Sequence, residues 1–399
     1  MGESNWQGRE LELTVGAVAH GGHCVARHDG RVVFVRHALP GERVRAVVTE
    51  DRGGSFCRAD AVTVLDASPD RVQPPCPYAG PGRCGGCDWQ HATPAAQREL
   101  KAAVVREQLA RLAKLSVPVV VEELPGGPLR WRTRVQYAVD ARGRVGLRRH
   151  RSHDVLPIDD CRIAAEAVVA TGVTGTTWPG ASALTVVAGH DGQTAVLEHR
   201  SSERQGKRTR RVLGRNRLRE WAAGREWTVR ASGFWQVHPA AAEALAAAVL
   251  AALEPRPTEV ALDLYGGAGL FAGVLAPRLG HVTLVEADPD AAADATRNLT
   301  GLPAAVERGR VERVLDRLGF DRVDLVVLDP PRSGAGAAVT GRIAGLRPRA
   351  VAYVACDPAA LARDLRTFAD HGYALAGLRA FDLFPMTHHV ECVAHLVRA

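Results

Sequence analysis

Apolar and polar residues alternate in short stretches over the first 68 residues, and turn signals separate those stretches. The alternating segments are 10–15, 31–35, 42–48 and 59–65. Pairs such as Asp29-Gly30 and Pro40-Gly41 stand between them, as is typical of tight turns that join strands. The pattern predicts a small β-barrel over residues 1–68, and the Pro-rich residues 69–81 end it.

The period changes to that of a helix over residues 95–115, where apolar positions recur every three or four residues. Thr93 and Pro94 precede it as a capping residue and a first helical residue. Mixed strands with Gly-rich and Arg-rich connections follow over residues 130–225. The pattern of this middle third therefore predicts an α+β domain.

From about residue 232 continuous apolar strands alternate with Ala-rich helices. The strands are 260–264, 282–285, 323–328 and 351–354. Such strands, each followed by a helix, are typical of a parallel, doubly wound sheet. The predicted fold class is thus an α/β multidomain chain with an N-terminal β-barrel, a central α+β domain and a C-terminal Rossmann-like domain.

The composition is that of an ordinary globular protein. The chain has 399 residues, of which 46% are hydrophobic and 24% charged, enough for two or three domains. Its apolar runs stop well short of the ~18 residues of a membrane span, so we expect no membrane association. The N-terminal residues lack the features of a secretory signal, and we expect a cytoplasmic protein. In that reducing compartment the eight cysteines should be ligands, nucleophiles or core residues and not disulfides.

The formal net charge of +7 indicates a polyanionic partner, and the distribution of charge supports this. Residues 130–151 contain eight arginines and one carboxylate, and residues 200–219 contain nine basic residues and only Glu203. Solvated loops would show the same pattern. The aromatic residues Trp131 and Tyr137 beside the first run favour a nucleic acid, so we expect RNA to contact these two segments.

Three cysteines stand close together in a Pro/Gly-rich segment. Cys76, Cys84 and Cys87 form the spacing C-x7-C-x2-C, and Cys161 follows at a distance. Thiols crowded into a loop of a cytosolic protein indicate a soft ligand. Zinc and a 4Fe–4S cluster both accept four thiolates, so both assignments stay open from the spacing.

A Gly-rich turn follows the strand at 260–264. Gly267 and Gly269, with Ala272, satisfy the pattern G-x-G-x-x-A, in which a nucleotide approaches the backbone closely. The next strand ends at Glu286, where a carboxylate would accept hydrogen bonds from ribose hydroxyls. NAD and S-adenosylmethionine fit this pattern equally well.

The later strands end in reactive residues. Asp329-Pro330-Pro331-Arg332 follows one strand and Cys356-Asp357-Pro358 follows the next. Ligands of a parallel sheet lie beyond the carboxyl ends of its strands, so Asp329 and Cys356 should face the crevice of the glycine turn. A dehydrogenase needs no thiol there, and methyltransferases of exocyclic amines carry an aromatic residue where this chain has Arg332. Glu391, at the start of the last strand, is either a solvated residue or a base.

Together these motifs resemble the RNA uridine-C5 methyltransferase family over nearly the whole chain. The resemblance implies a TRAM-type barrel at 1–68, an iron–sulfur and RNA-binding domain at 69–94 and 116–230, and a methyltransferase domain at 95–115 and 231–399. It also implies the metal ligands Cys76, Cys84, Cys87 and Cys161. The implied residues of the S-adenosylmethionine site are Gln236, within Ser232-Gly233-Phe234-Trp235-Gln236, Tyr265, Glu286 and Asp329, beside the glycines Gly267 and Gly269 of the turn.

Three positions depart from the family. The gap between Cys76 and Cys84 is seven residues where the family usually has five, and Gly266 replaces a Cys of the glycine turn. Leu270 replaces an Asn that contributes a hydrogen bond to the cofactor. Cofactor binding would therefore rest more on the backbone, on Glu286 and on Asp329.

The resemblance implies methyl transfer from S-adenosylmethionine to C5 of a specific uridine in ribosomal or transfer RNA. Cys356 would add to C6 of the base, and Glu391 would remove the C5 proton so that the thiol can leave. The base would have to leave its stack to reach the crevice. Two alternatives stay open: a non-catalytic iron–sulfur or zinc RNA-binding protein on a methyltransferase scaffold, and a cytosine-C5 RNA methyltransferase. We expect a monomer.

Overall fold

The computed structural model of the protein describes residues 5–202, 206–320 and 322–399. Glu203 and Arg204 of the second basic run lie outside these ranges. No helix within them is long and apolar enough to cross a membrane.

Five strands form the N-terminal barrel. They are β1 Glu10–Thr14, β2 Cys24–His28, β3 Arg31–Arg36, β4 Arg43–Asp51 and β5 Phe56–Asp66, in the sheet order β1-β4-β5-β3-β2. The two edge strands also contact each other, which closes the sheet around an apolar core. The predicted barrel is confirmed, although strand β2 was missed because it is short and ends in polar residues. Asp29 and Gly30 both have positive φ, of 47° and 79°, as the tight turn from β2 to β3 requires.

The predicted helix begins at Pro94. Helix α1 spans Pro94–Gln108 and continues as a π-helical turn, Leu109–Ala113. The Thr93 hydroxyl accepts a hydrogen bond from the Ala96 amide at 3.3 Å and caps the helix. A short strand, β6 Val121–Glu122, follows and pairs with a strand near the C-terminus.

The central region is built on a six-stranded sheet with the order β12-β11-β10-β7-β8-β9. Its strands are β7 Arg134–Val139, β8 Val145–Arg148, β9 Val155–Pro157, β10 Ala183–Ala188, β11 Thr194–Ser202 and β12 Gly206–Gly214. The short helix α2, Glu166–Val169, and a 3-10 turn, Val173–Gly175, cover it. A separate hairpin, β13 Arg217–Ala222 and β14 Arg225–Arg230, leads to the C-terminal region.

The C-terminal sheet has the order β17-β16-β15-β18-β19-β21-β20-β6. Its own strands are β15 Val260–Leu264, β16 His281–Glu286, β17 Ala304–Arg308, β18 Leu325–Leu328, β19 Ala350–Ala355, β20 Tyr373–Phe381 and β21 Glu391–Arg398. The helices are α3 Ala241–Leu253, α4 Leu270–Leu275 with a 3-10 turn at Ala276–Arg278, α5 Pro289–Asn298, α6 Val311–Leu318, α7 Gly336–Gly345 and α8 Pro358–Asp370. Strands β15 to β19 are parallel, and β21 runs antiparallel to β19.

Two apolar layers enclose this sheet. One contains residues of α3 and α4 with Trp227 of the hairpin, and the other contains residues of α1, α7 and α8. The doubly wound fold is therefore confirmed. The division into domains stays a prediction, and two contacts bear on its boundaries: β6 extends the C-terminal sheet, and Trp227 packs into that sheet's core.

Candidate active site

The glycine turn connects β15 to α4 through a backbone that only particular residues allow. Gly267 and Gly269 have φ of 55° and 95°, and open space surrounds the position where a Cβ of Gly267 would stand. A Cβ at Gly266 would lie 2.4 Å from Cγ of Leu284. The Cys that the resembled family carries at this position therefore does not fit beside Leu284, which explains the glycine.

Two carboxyl groups support the turn from below and from the side. Asp263 on β15 is fully buried, and one of its oxygens accepts a hydrogen bond from the Ala272 amide at 2.7 Å. Its other oxygen, Oδ1, has no hydrogen-bond partner. Burial raises the pKa of Asp263 to about 8, so the group is a neutral acid at pH 7 and can donate a hydrogen bond. Asp263 is 0% exposed, so it holds the start of α4 from within the core.

The carboxylate of Glu286 is fixed at the end of β16. Its two oxygens accept hydrogen bonds from the amides of Gly267 at 2.9 Å and Asp288 at 2.7 Å. Each oxygen keeps a second lone pair for a ligand. The structure thus brings the predicted residues Gly267 and Glu286 into direct contact.

The segment that contains Gln236 lies against the same region. Trp235 packs against Trp227 with ring centroids 5.8 Å apart, and it shares its apolar cluster with Leu270 at the start of α4. Gln236 itself is buried. Leu270 is 7% exposed, so the residue that replaces the family's Asn packs in the core.

Cys356 and Glu391 face each other across neighbouring strands. The antiparallel register of β19 and β21 ends with the pair Ala355 and Cys392. Cys356 follows Ala355 and Glu391 precedes Cys392, so this antiparallel register sets Cys356 opposite Glu391. Cys356 is half-buried and lines a pocket of about 150 Å³, whereas Glu391 is 4% exposed.

Acidic groups dominate the electrostatics around Cys356. Burial, together with the nearby carboxyls of Glu391 and Asp329, raises the pKa of the Cys356 thiol to about 12. Burial raises the pKa of Asp329 to about 7. Burial and the charge of Asp329 also raise the pKa of Glu391, which the guanidinium of Arg332 partly opposes. The free site therefore holds a neutral thiol beside two carboxyl groups whose pKa values are both raised.

Several pocket residues were not among the predicted site residues. Arg332 Nη2 lies 3.4 Å from Nε2 of His389, and the rings of His388 and His389 are 4.1 Å apart. His388 Nδ1 in turn lies 2.6 Å from a carboxylate oxygen of Asp88, which follows Cys87. All three basic residues line the pocket with Cys356. Their signal was in the sequence, since Arg332 follows D-P-P and the two histidines precede Glu391.

The four predicted ligand cysteines line one cavity of about 310 Å³. Burial raises the pKa of Cys84 to about 11 and also raises the pKa values of Cys87 and Cys161. However, no group of three or more His, Cys, Asp or Glu side chains in the described ranges is placed to hold a metal ion. The structure thus brings the four thiols of Cys76, Cys84, Cys87 and Cys161 around one space but shows no metal site.

The first basic run divides into a structural half and an exposed half. Arg130 forms a bidentate ion pair with Asp160 at 2.7 Å, and Arg134 is buried beside Glu220. Trp131 and Tyr137 are each 2% exposed, so the aromatic residues that favoured nucleic acid belong to the core.

The second half of that run faces a cleft. Arg149, His150 and Arg151 line a cavity of about 690 Å³ between the central sheet and the barrel. The barrel contributes Arg36, Arg52 and Arg58 to the same cavity, and Arg58 lies over the ring of Phe56, which is 43% exposed. Glu50, Asp51, Asp60 and Asp154 line the same cavity, and Glu50 pairs with Arg58 and Arg151 at 3.5 Å, so part of the positive charge is neutralised within the cleft. Arginines beside an exposed aromatic ring are nevertheless typical of surfaces that bind single-stranded nucleic acid.

The second basic run is largely neutralised among its described residues. Arg200 and Arg210 both pair with Glu198, at 2.6 and 2.9 Å. Arg217 pairs with Asp294 of α5 at 3.4 Å and so fixes the hairpin to the C-terminal region. This run therefore presents less free charge than its composition indicates.

Comparisons with known proteins cover the same regions. A family model described as TRAM domain matches residues 6–62, and one described as tRNA (Uracil-5-)-methyltransferase matches residues 222–399. A Streptomyces avermitilis protein named as an uncharacterized RNA methyltransferase is 52% identical over 98% of this chain and 98% of its own. A Corynebacterium efficiens protein, also named as an uncharacterized RNA methyltransferase, is 39% identical over 98% of this chain and 96% of its own.

One solved structure matches almost the entire chain. It is the Pyrococcus abyssi tRNA (uracil-54, C5)-methyltransferase in complex with S-adenosyl-L-homocysteine, with a TM-score of 0.74 and 21% sequence identity. The match covers 97% of this chain and 100% of that chain. At this identity the likeness shows a shared fold.

Proposed function

Because this chain, with its TRAM domain and its tRNA (uracil-5-)-methyltransferase domain, belongs to the RNA methyltransferase family, we propose that it methylates C5 of a uridine in transfer or ribosomal RNA with S-adenosylmethionine as donor. The observation that carries this proposal is the thiol of Cys356 opposite the buried carboxyl of Glu391 at the ends of adjacent strands.

The glycine turn fits the nucleoside part of the donor. Open space beside Gly267 allows close approach, and both Glu286 oxygens keep lone pairs for ribose hydroxyls. We assign Gln236, Tyr265 and Asp329 to the same site, and when bound the donor supplies an electrophilic methyl group.

The uracil ring needs a nucleophile because its C5 carbon reacts poorly by itself. In our proposal the Cys356 sulfur bonds to C6, its proton passes to a neighbouring carboxylate, and the electrons of the C5=C6 bond move toward C5 and O4. C5 would then take the methyl group, and the bond between that methyl and the sulfonium sulfur would break to leave a neutral thioether. Glu391 removes the C5 proton, C5=C6 forms again, and the bond between C6 and the Cys356 sulfur breaks.

The raised pKa values bear on these two assignments in opposite ways. Since the free thiol of Cys356 has a pKa of about 12, it has to be deprotonated as the base enters, and Arg332 is the cation that favours its thiolate. Burial raises the pKa of Glu391, and a carboxylate with a raised pKa is a stronger base than that of an ordinary glutamate.

We also propose that Cys76, Cys84, Cys87 and Cys161 hold a 4Fe–4S cluster, with zinc as the alternative. The support is that four thiols line one cavity of about 310 Å³, which is roomy for a single ion. A group that binds all four cysteines as thiolates would link this loop to Cys161, so it would stabilise the loop that contains Asp88. The monomeric state and the cytoplasmic location stay predictions.

The RNA path that we propose follows the cleft between the barrel and the central sheet. Arg149 and Arg151 from one side, and Arg52 and Arg58 from the other, line this cleft and would contact phosphates there. The exposed ring of Phe56 is available for stacking on a base.

The test is incubation of the protein with total RNA from cells that lack it and with methyl-labelled donor, followed by nucleoside analysis. Label in 5-methyluridine is the expected result. Label in 5-methylcytidine would favour the cytosine alternative, and the absence of label would favour the non-catalytic one. Cys356→Ala, which should bind RNA and donor but transfer nothing, is the control.

A further inference from the structure

One wall of the pocket around Cys356 comes from the N-terminal barrel. The loop between β1 and β2 turns at residues 19–23, where Gly22 N donates to Ala19 O at 3.2 Å and Ala19 N donates to His23 O at 2.7 Å. Residues 20–22 of this loop line the 150 Å³ pocket together with Cys356. This volume is below the roughly 300–1,000 Å³ of typical ligand sites, as suits a pocket for a single base.

His20 contacts the residue next to Cys356. Its Nε2 lies 3.1 Å from Oδ2 of Asp357, and the two side chains are 39% and 23% exposed. The other oxygen of Asp357 accepts a hydrogen bond from Ala360 N at 2.8 Å and caps α8. Asp357 is therefore held from both sides, by its own helix and by the barrel.

The barrel loop at residues 19–23 also packs closely against its neighbours. The carbonyl of Gly22 accepts a hydrogen bond from Nε1 of the buried Trp89 at 3.1 Å. A Cβ at Gly22 would lie only 2.7 Å from Cβ of His388, which lines the pocket too. There is thus no room for a side chain between the loop and the pocket histidines.

We propose that His20 is a positioning residue that acts through Asp357 to hold Cys356 at the pocket, and that barrel residues 20–22 complete the pocket that receives the target base. This inference rests on the proposed function and deepens it. The barrel is then part of the active site as well as an RNA-binding module, and methyl transfer requires the barrel to be docked.

The contact should also depend on pH. The hydrogen bond to Asp357 raises the pKa of His20 above its ordinary value of 6.5. The charged and titratable groups that face His20 are Asp357 and Arg363 of α8 and Glu107 of α1, and it shares the pocket with Arg332, His388 and His389. A raised pKa means that the charged pair is fully present below pH 6.5 and is lost as pH rises through the folded value.

The first test compares His20→Ala and His20→Gln with His28→Ala, a histidine of the same barrel on β2. The measurement is the single-turnover rate of methyl transfer at saturating RNA and donor, from pH 6 to 9. His20→Ala should be slower by roughly three- to tenfold at low pH, and the deficit should shrink as pH rises. His20→Gln, which can still donate to Asp357, should recover most of the rate without that pH dependence. His28→Ala should match the wild type.

The second test adds a side chain at Gly22, where the barrel loop packs against His388. Gly22→Ala places a methyl group against His388, whereas Gly30→Ala has nearly the same φ, 79° against 82°, but open space around it. Both variants should lose similar stability from the positive φ, but Gly22→Ala alone should lose the transfer rate.

The outcomes separate the two proposals. A wild-type protein that forms no 5-methyluridine overturns the proposed function and this inference with it. An active wild type with His20→Ala and Gly22→Ala at the rates of their controls overturns the inference alone. Weaker RNA affinity with an unchanged saturated rate also overturns it, because the loop would then only dock RNA.

Discussion

Cys356 should be an unreactive thiol in the free protein. Its pKa is raised from the ordinary 9.0 to about 12, a difference of three units, so the thiolate fraction at pH 8 is lower by a factor of about 1,000 than for an unperturbed cysteine. Because only the thiolate is a nucleophile, alkylation of Cys356 by iodoacetamide should be slower by a similar factor than in the unfolded chain. Mass spectrometry of the peptide with Cys356 resolves it from the other seven cysteines.

The pH dependence of the alkylation rate distinguishes a raised thiol pKa from steric shielding of the thiol. Steric shielding would slow alkylation equally at every pH and leave a plateau near pH 9. A raised pKa predicts that the rate keeps rising about tenfold per pH unit through pH 10. Glu391→Gln should lower the pH of the plateau because it removes a neighbouring charge, and Arg332→Met should raise it. A plateau at or below pH 9, or Cys356 as the fastest thiol at pH 7, would refute the proposal that the thiolate forms only when the base enters.

Three further predictions test the other assignments. Glu391→Gln should accumulate a methylated protein–RNA adduct that survives denaturation, since release waits for removal of the C5 proton; free turnover without an adduct would assign the base elsewhere. Anaerobically purified protein should be brown, and Cys84→Ser should lose both colour and stability, whereas colourless protein with stoichiometric zinc would select the alternative metal. Arg149→Gln and Arg151→Gln should each flatten the dependence of RNA affinity on log salt concentration by about one unit, and the exposed Arg142→Gln should leave it unchanged.

The candidate site could be predicted where chain topology alone determines position. Asp329 and Cys356 follow adjacent parallel strands, and parallel strands deliver their carboxyl ends to one edge. The position of Glu391 does not follow from the topology in this way because its strand is antiparallel, and only the register with β19 sets it opposite Cys356. Gly266 departs from the resembled family, but the side chain that requires a glycine there, Leu284, lies on another strand.

The basic runs show what charge along a sequence cannot predict. Alternate residues of a strand point to opposite faces, so a run of arginines divides between core and solvent. Arg134 is buried beside Glu220, whereas Arg149 reaches the cleft and its guanidinium donates to the carbonyl of Gly82. The contact of His20 with Asp357 joins residues that are 337 positions apart, so no local sequence pattern predicts it.

Helix α1 packs into the core of the C-terminal sheet, where its buried Lys101 pairs with Asp382, and this packing has a consequence for the order in which the newly made chain folds. The two residues lie 2.5 Å apart but are separated by 281 positions in sequence. At ~5–20 residues per second the ribosome needs roughly 15–55 s to make that stretch. During this time α1 has left the ribosome while its partner strands do not yet exist. Leu100 and Val104 can already pack on the barrel, but the part of the helix with Lys101 and Val105 becomes buried only when translation is almost complete and the C-terminal sheet forms.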